Sequence, residues 1–385
     1  MRIAFDARPL LGPRTGVGVW LEGVVRGLAA TTDWGFLLAL PRRAGALGVE
    51  DLGDRVETVA PASPLPGTLW LHTVAGPTLA GRADAFVATL GVRPRRLALP
   101  DVLVVHDLTP RTRPRAHTLA NRFCFNAYLE ESLARTRAVV CVSEATRAAV
   151  ARVQPAAARR AVVIGEGVDP FFSPPAAGED GAETRARFAA GRRYLLQLGT
   201  LEPRKGVTAL LAAHAALLGE PAGAPDLVLA GGRGWGGRWL EAALARHPDP
   251  ARVHLPGYVS RDEARALLRH ADVVVTASEE EGFGLPLAEA LACRAACVAT
   301  SAPALVELAG GAALHVAPGD ARALAGAIRS ALDPRTQQTL RARARLRATE
   351  LSWERPLAAW RELLASVARG DAEAVRMPGD APARH

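Results

Sequence analysis

Short runs of apolar and β-branched residues alternate with longer Ala-, Leu- and Arg-rich stretches along almost the whole chain. Each short run predicts a strand, and each longer stretch predicts a helix that leads to the next strand. Alternation of this kind is typical of parallel sheets covered by helices, so the pattern predicts an α/β fold. The predicted strands are 2–7, 36–40, 102–107, 138–143 and 161–165 in a first series, then 194–199, 226–232, 253–258, 271–278, 296–300 and 313–318 in a second.

The two series are separated by a polar segment that contains proline and glycine, "PPAAGEDGAETRA", at 174–186. Its composition is that of a linker. A chain of 385 residues is also long enough for two domains with separate cores. We therefore expect a first Rossmann-like domain at 1–173, a second at 187–351, and a cleft between them. The last residues, 373–385, have the composition of a flexible tail.

The formal net charge of +8 favours anionic partners such as a nucleotide, a phospholipid surface or nucleic acid. Nucleic acid is the weakest of these, because the arginines are scattered along Ala-rich stretches without a recognisable nucleic-acid-binding module. No run of about 18 apolar residues predicts a membrane span, and the first residues do not resemble a signal peptide. The four cysteines predict neither a disulfide framework nor a zinc site, which favours a reducing compartment, the cytoplasm.

Lys205, within "TLEPRKG" at 200–206, is the only lysine among the 47 Lys and Arg residues. With Arg204 it lies in a loop between a predicted strand and a helix, and helix N-termini favour anions. A guanidinium binds two oxygens at once, whereas the compact ammonium approaches one oxygen closely. The pair therefore indicates a diphosphate site at the carboxyl end of a strand, where parallel sheets bind ligands. The alternative is a solvated surface pair, with Glu202 capping the helix.

The second candidate for binding a ligand is "SEEEGFGLPLAEA", at 278–290. It also follows a predicted strand, and Pro286 suits the first turn of a helix whose backbone N–H groups would receive an anion. Glu281 and Glu289 are eight residues apart, and carboxylates accept hydrogen bonds from ribose and sugar hydroxyls. The alternative is that the acidic residues only complement the positive end of the helix, which does not account for Glu289.

Four segments together resemble the retaining GT-B glycosyltransferases of family 4. The segments are "FDARPLLGPRTGVG" at 5–18, "GVDPFFSP" at 167–174, "TLEPRKG" at 200–206 and "EGFGLPLAEALAC" at 281–293. Within the family, the chain looks most like bacterial mannosyltransferases of polysaccharide or lipopolysaccharide assembly, up to about residue 370. The resemblance implies two Rossmann-like domains that face each other across a cleft, with a C-terminal helix at about 352–370 returning to the first domain.

The resemblance also implies the reaction: a hexose moves from a nucleotide sugar, with GDP-mannose favoured, to a glycan or lipid-linked acceptor. Arg204 and Lys205 would hold the diphosphate, Glu281 would contact the donor sugar, and Glu289 would bind the ribose. The other implied donor-binding residues are Gly16, Gly199, Gly282, Phe283, Gly284 and Leu285. No Asp-x-Asp sequence, a common metal–diphosphate clamp, occurs in the chain. We therefore expect cations and helix termini to replace a metal, and no cofactor.

His106, at the end of a predicted strand, would face the donor sugar and take part in catalysis. The alternative is a packed histidine tied to Asp107. The segment 111–137 mixes arginines with aromatic residues and could dock on anionic lipid, which would place the protein on the inner face of the membrane. The alternative for this segment is an amphipathic helix packed on the sheet.

Two departures from the family pattern concern local geometry. Arg294 stands where the family usually has glycine, and a left-handed backbone there would cost arginine about 1 kcal/mol. Val19 and Trp20 replace an Arg-Tyr pair in the N-terminal loop, which leaves the acceptor or phosphate contacts of that loop open.

Two other classes of protein stay as alternatives. One is another GT-B enzyme, such as a sugar-nucleotide epimerase or a phosphorylase, or a catalytically silent binding subunit. The other is an NAD-dependent oxidoreductase, for which "GVGVWLEG" at 16–23 offers only a loose Gly-x-Gly pattern.

Overall fold

The structure is a computed structural model that describes residues 1–12, 14–42, 45–61, 63–65, 67–113, 119–220, 224–234 and 238–371, without the side chains of 119–122 and 124. The described chain forms two compact units. The first unit is Met1–Gly167 together with the segment that begins at Trp353, and the second is Val168–Ser352. The predicted flexible tail at 373–385 lies outside the described residues.

In the described part of the first unit, seven parallel strands form one sheet in the order β3-β2-β1-β4-β5-β6-β7. The strands are β1 (Arg2–Asp6), β2 (Gly35–Ala39), β3 (Val56–Val59), β4 (Ala85–Ala88), β5 (Asp101–Val105), β6 (Ala138–Cys141) and β7 (Ala161–Val163). All five residues of β5 are buried, as expected for a central strand covered on both faces. The α/β prediction is confirmed for this unit.

The sequence patterns missed two of these strands, β3 and β4. β3 reads "VETV" and pairs only with β2 in the described sheet, so half of its residues are polar and carry no signal of burial. β4 reads "AFVA", which is short and has alanine at both ends, although it pairs with both β1 and β5. Its strand conformation therefore depends on neighbours that are distant in sequence.

In the described part of the second unit, six parallel strands form a sheet in the order β10-β9-β8-β11-β12-β13. The strands are β8 (Tyr194–Leu198), β9 (Asp226–Ala230), β10 (Val253–Gly257), β11 (Val273–Thr276), β12 (Cys297–Thr300) and β13 (Ala313–Val316). All six were predicted from the sequence. In both sheets the order reverses beside the first strand, as in Rossmann-like folds, so each unit has a topological switch point.

Helices lie between most successive strands of both units. The helices of the first unit are α1 (Gly16–Thr31), α2 (Gly67–Trp70), α3 (Gly76–Leu79), α4 (Thr109–Thr112), α5 (Leu119–Arg135), α6 (Glu144–Val153) and α7 (Pro155–Ala158), with a π-helical turn at Leu71–Ala75. Those that follow are α8 (Ala182–Phe188), α9 (Val207–Leu218), α10 (Arg238–Ala245), α11 (Arg261–His270), α12 (Leu285–Ala292), α13 (Pro303–Ala309), α14 (Ala321–Leu332), α15 (Pro334–Ala348) and α16 (Glu354–Arg369). No described helix is long and apolar enough to cross a bilayer.

The chain passes between the units at two places, and neither lies in the segment 174–186. The first passage is at Gly167–Val168, because Phe172 and Phe188 pack into the core of the second unit. The segment expected to be a linker thus belongs to the second unit, and its last residues lie in helix α8. The second passage leads into α16, whose buried Trp360 lies 5.8 Å from Trp20 of α1, measured between ring centroids. The C-terminal helix thus belongs to the first unit, as the resemblance implied.

Candidate active site

The two motifs of the second unit follow neighbouring strands of its sheet. "TLEPRKG" comes after β8 and "SEEEGFGLPLAEA" after β11, and these strands pair in parallel. Their carboxyl ends therefore meet at one edge of the sheet. β8 and β11 also flank the point where the strand order reverses, which is where open α/β sheets bind ligands.

The loop after β8 is held tightly against the end of β11. Gly206, which precedes α9, has a φ of +66°, and a Cβ there would lie 1.9 Å from the carbonyl oxygen of Ala277. Only glycine fits this position. The Glu279 amide also donates a 2.8 Å hydrogen bond to the carbonyl oxygen of Arg204. These contacts fix the two loops to each other and thereby place Lys205.

Lys205 and Glu281 form a direct ion pair. The ammonium Nζ lies 2.5 Å from Glu281 Oε1, which also accepts a 2.7 Å hydrogen bond from the Ser278 hydroxyl. Arg204 Nε donates to Glu202 Oε2 at 2.8 Å, and its Nη1 lies 3.8 Å from Glu281 Oε2. The Lys205 and Glu281 side chains are 15% and 10% exposed, so the pair is largely shielded from water.

These neighbours decide the charge of Glu281. Burial alone would raise the pKa of its carboxyl group, but the charges of Lys205 and Arg204 and the hydrogen bonds from Lys205 and Ser278 outweigh burial. The pKa of Glu281 therefore lies below its ordinary value, and the carboxylate is ionised at neutral pH. The sequence assigned Lys205 to a diphosphate and Glu281 to a sugar, whereas the structure pairs the two side chains with each other.

The loop after β11 turns into α12 through a left-handed glycine. Gly284 has a φ of +102°, and a Cβ there would lie 2.6 Å from Leu305 Cδ2. Pro286 stands in the first turn of α12, as predicted, where its missing N–H group is not needed. Phe283 packs against the core, and Glu289 is half-buried in the second turn. Helix α12 thus begins four residues after Glu281, and its Leu287 and Ala288 amides both donate to the Gly284 carbonyl oxygen.

The structure collects most predicted site residues at this one edge. Gly199 follows β8 and approaches the other loop, since a Cβ on Gly199 would lie 3.8 Å from the Pro286 ring. The predicted residues that lie in the two loops or in α12 are Gly199, Arg204, Lys205, Glu281, Gly282, Phe283, Gly284, Leu285 and Glu289. Gly16 and His106 belong to the first unit.

His106 directly follows β5 and is held by three side chains. Its Nδ1 lies 3.3 Å from Glu166 Oε1, and the ring packs edge-on against Trp20 at 4.8 Å between centroids. The hydroxyl of Thr146 donates to the His106 carbonyl oxygen at 3.1 Å. Asp107 instead accepts hydrogen bonds from the backbone amide and the hydroxyl of the nearby Thr109. The alternative that tied His106 to Asp107 is therefore wrong; the tie is to Glu166.

Glu166 is the residue that sequence reasoning missed. It lies 60 positions from His106, and no motif links the two. The available signal was an acidic residue between two glycines, "GEG" at 165–167, directly after a predicted strand. Such a residue lies at the carboxyl edge of the sheet, where polar side chains are expected to gather.

Two positions that depart from the family pattern have clear structural settings. Trp20 is buried between His106 and Trp360 rather than placed at a surface loop. Arg294 has a φ of +56°, so its backbone is left-handed although the residue is arginine and not glycine. Gly16 begins α1, and a Cβ built on it would meet no described atom within 4 Å, so sterics do not require glycine there.

The chain matches two family models. Residues 36–172 match the model described as Glycosyltransferase Family 4, and residues 192–334 match the model described as Glycosyl transferases group 1. The chain is 30% identical over 254 residues to an O-antigen chain mannosyltransferase B of Escherichia coli, which covers 66% of this chain and 67% of the relative. The chain belongs to glycosyltransferase family 4. The family assignment decides against an NAD-dependent oxidoreductase.

Other similarities agree with this family. A serotype-specific mannosyltransferase WbdA of Escherichia coli is 28% identical over 216 residues, which is 54% of this chain but 26% of the relative. Among solved structures, Anabaena HepE in complex with UDP-glucose superposes with a TM-score of 0.75 at 21% identity, over 95% of this chain and 100% of that one. The protein is a glycosyltransferase with the GT-B fold. His106 lies in the first matched region and the Lys205–Glu281 pair in the second, whereas Gly16 lies in neither.

Proposed function

We propose that this family 4 enzyme transfers mannose from GDP-mannose, with retention of anomeric configuration and without a metal ion, to a glycan or lipid-linked acceptor in cell-surface polysaccharide assembly. The named activity of the Escherichia coli relative, an O-antigen chain mannosyltransferase, supports the sugar and the acceptor class. The single observation that carries the chemistry is the Lys205–Glu281 pair, at the switch point of the sheet and beside the start of α12.

In this proposal the donor diphosphate takes over the place of the Glu281 carboxylate beside Lys205. Breaking the sugar–phosphate bond puts negative charge on the bridging oxygen, and an ammonium held within hydrogen-bonding distance stabilises that charge most in the transition state. Glu281, released from Lys205, then accepts hydrogen bonds from hydroxyls of the sugar. In the empty enzyme the ion pair with Glu281 compensates the charge of Lys205, and after the exchange the diphosphate pairs with Lys205 while sugar hydroxyls donate to the Glu281 carboxylate.

The residues of this edge support metal independence, whereas retention rests on the family resemblance. Lys205 and Arg204 supply positive charge, and α12 directs the positive end of its dipole toward the same edge, so the components of an anion site are present without a divalent ion. Retention follows from the family resemblance, with front-face substitution through an oxocarbenium-like transition state. If an excess of EDTA abolishes transfer, metal independence is wrong; if the product has the inverted anomeric configuration by NMR, retention is wrong.

Donor identity can be tested before the acceptor is known. Isothermal titration of the enzyme with GDP, UDP and ADP, each with and without its sugar, should give the tightest binding for GDP-mannose. The Arg329→Ala variant is a matched control, because Arg329 pairs with Glu220 on the exposed face of α14, away from the site. It should bind donors like the native enzyme. Preference for UDP- or ADP-glucose would overturn the mannose assignment while keeping the transferase.

We also propose that α5 and the residues before it contact a membrane that carries the acceptor. Phe123 is 75% exposed, and Arg111 is exposed although it pairs with Glu130. An exposed aromatic side chain near arginines suits an anionic lipid interface. Residues 114–118, within the predicted docking segment, lie outside the described residues. Flotation with vesicles containing phosphatidylglycerol tests the contact, and equal flotation of Phe123→Ser would contradict it.

A further inference from the structure

Glu166 is a buried carboxylate with a single hydrogen-bonding partner among the described residues, Nδ1 of His106. A buried carboxylate is costly unless a donor faces it. Because Nδ1 lies 3.3 Å from Glu166 Oε1, the arrangement favours a proton on Nδ1 that points at the carboxylate. The choice of tautomer at His106 is therefore set by Glu166.

The imidazole has little freedom to turn away from this partner. Trp20 packs against it at an interplanar angle of 81°, and Trp20 is itself buried against Trp360. Thr146 holds the carbonyl oxygen of His106 through a 3.1 Å hydrogen bond. The backbone and ring of His106 are thus fixed by contacts from α1, α6 and the segment after β7.

The other ring nitrogen, Nε2, is buried and has no hydrogen-bonding partner in the described part of the chain. When Nδ1 carries the proton, Nε2 is an acceptor. A buried acceptor without a donor costs about 1–3 kcal/mol, and a ligand that donates a hydrogen bond to Nε2 would recover this cost. The donor that suits a neutral imidazole nitrogen is a hydroxyl group.

We propose that Glu166 is a positioning residue that holds His106 in the Nδ1–H tautomer, so that Nε2 accepts a hydrogen bond from a sugar hydroxyl. The identity of the ligand rests on the proposed function. The tautomer does not, because it is a property of the unliganded protein. The two parts can therefore fail separately. A purely structural role, in which Glu166 only ties the ends of β5 and β7 together, makes different predictions.

The first measurement is NMR of protein labelled with ¹⁵N-histidine, with the His106 signals assigned by their loss in His106→Asn. The native enzyme should show a protonated Nδ1 and an unprotonated Nε2. Glu166→Gln, which keeps one acceptor oxygen, should show a mixture of tautomers, and Glu166→Ala should shift the proton to Nε2. Glu22→Gln, which disturbs an ion pair elsewhere in the first unit, is the matched control and should leave the His106 signals unchanged.

The second measurement is steady-state turnover of GDP-mannose by the same variants. Loss of the partner that orients a metal-binding histidine typically lowers activity by about 10–100-fold, and we expect a fall of similar size in kcat for Glu166→Ala, with a smaller fall for Glu166→Gln. A structural role predicts instead that activity follows the fraction of folded protein, which thermal unfolding of each variant measures. If Glu166→Ala does not fold, the NMR spectrum and turnover of Glu166→Gln distinguish the positioning role from the structural role.

Three outcomes separate the parts of the inference. A proton on Nε2 in the native enzyme, or the same tautomer in native enzyme and Glu166→Ala, overturns the positioning role. A tautomer shift without any change in turnover overturns the link to the reaction. Full activity of His106→Asn, with the tautomer control by Glu166 intact, overturns the contact of His106 with sugar and leaves the positioning of the ring standing.

Discussion

Each of the two edges of the second sheet carries a largely buried cluster of ion-paired side chains. The clusters differ in how many of their hydrogen-bonding groups are engaged. At the amino edge, Asp226 begins β9 and is fully buried; its two oxygens lie 2.7 Å from Arg252 Nε and 2.8 Å from His254 Nε2. At the carboxyl edge, Lys205 meets Glu281 at 2.5 Å, and both residues stand in loops. The first cluster pairs residues at strand ends, whereas the second joins two loops beside the start of a helix.

If the carboxyl edge binds the donor as proposed, the same sheet carries a stabilising cluster at one edge and a ligand-binding cluster at the other. Asp226 is fully buried, and each oxygen of its carboxylate already has a partner. The ammonium of Lys205 has three donors, and in the described chain one of them is engaged by Glu281. A cluster of this kind can exchange a partner for a ligand, as α/β sheets do at the carboxyl ends of their strands. Substitutions at the carboxyl edge should therefore lower turnover, and substitutions at the amino edge should lower stability.

The largest effect is expected at the carboxyl edge. With the proposed donor, GDP-mannose, Lys205→Ala should lower kcat about 10²–10³-fold, as removal of one charge-stabilising donor does in other enzymes. Lys205→Arg should recover only part of this loss, because the broad guanidinium cannot approach one oxygen as the ammonium does. Initial rates of GDP release measure both variants, and Arg329→Ala serves as the control. If Lys205→Ala turns over at the native rate, the carboxyl edge has no part in the reaction.

At the amino edge, the expected loss is one of stability. Asp226→Ala leaves Arg252 and His254 without their carboxylate partner, and loss of one partner from a buried cluster typically costs about 3 kcal/mol. The free energy of unfolding in urea should fall by about this amount. At a temperature where the variant stays folded, its kcat should match that of the native enzyme.

The contrast between a stabilising amino edge and a functional carboxyl edge is wrong if Asp226→Ala lowers kcat in the folded state. It also fails if Lys205→Ala loses as much stability as Asp226→Ala, because the two edges would then share one role. Some destabilisation by Lys205→Ala is expected, since Glu281 is left buried without its ammonium partner. Binding of GDP to each variant distinguishes the cases: Lys205→Ala should lose affinity, and Asp226→Ala should keep it.

The amino edge also predicts a pH dependence, through a buried pair of histidines. His214 Nε2 donates to the Pro225 carbonyl oxygen at 2.9 Å, so its Nδ1 accepts from His247 Nε2 at 3.0 Å. His247 Nδ1 in turn accepts from the Asp249 amide. This chain of hydrogen bonds needs both rings to be neutral. A proton added to His214 Nδ1 would face the N–H group of His247.

Burial lowers the pKa of His214 from 6.5 to about 4; the positive charges of His247 and Arg252 act in the same direction, whereas the Pro225 hydrogen bond and Asp226 oppose it. The unfolded chain therefore binds a proton at higher pH than the folded one. Stability is complete above pH 6.5 and falls as the pH drops toward 4. Between about pH 7.5 and about pH 5 the native enzyme should lose about 2 kcal/mol more than His214→Gln. Equal losses in urea unfolding would contradict the assignment.

Features of the second unit that depend on local sequence patterns could be predicted from the sequence. Strands β8 to β13 and the turn at Pro286 follow from short-range rules of burial and helix geometry, whereas the left-handed backbone at Arg294 was raised only as a condition, from comparison with the family pattern. The Lys205 motif was visible because a solitary lysine is conspicuous among arginines. Its contact with Glu281 was not, because 76 residues separate the two and the adjacency of β8 and β11 is set by sheet order.

The same limit applies to the first unit. β4 carries weak strand signals and owes its conformation to β1 and β5, which flank it. His106 was identified from its place at a strand end, and the alternative reading tied it to Asp107, its neighbour in sequence. Glu166 reaches His106 only after β5, β6 and β7 are aligned in the sheet. Register across strands is a tertiary property that a single sequence does not display.

The smallest expected effect concerns α12, which starts at the carboxyl edge and ends toward the amino edge. Both ends need a left-handed residue: Gly284 at the start has a φ of +102°, and Arg294 after the end has a φ of +56°. Glycine adopts this conformation without strain, whereas a residue with a Cβ pays about 1 kcal/mol. Arg294→Gly should therefore raise the free energy of unfolding by up to about 1 kcal/mol, which urea unfolding measures.

Turnover of Arg294→Gly tests whether backbone strain at the amino edge affects the site at the carboxyl edge. The Arg294 side chain is exposed and lies past the end of α12 opposite to the site, so kcat and donor affinity should stay at native values. Ala190→Gly is the matched control, because Ala190 has a φ of +49° in the loop before β8 and should gain similar stability. A changed donor affinity in Arg294→Gly alone would show that strain at the amino edge is transmitted along α12 to Glu281, and the two edges would then be coupled.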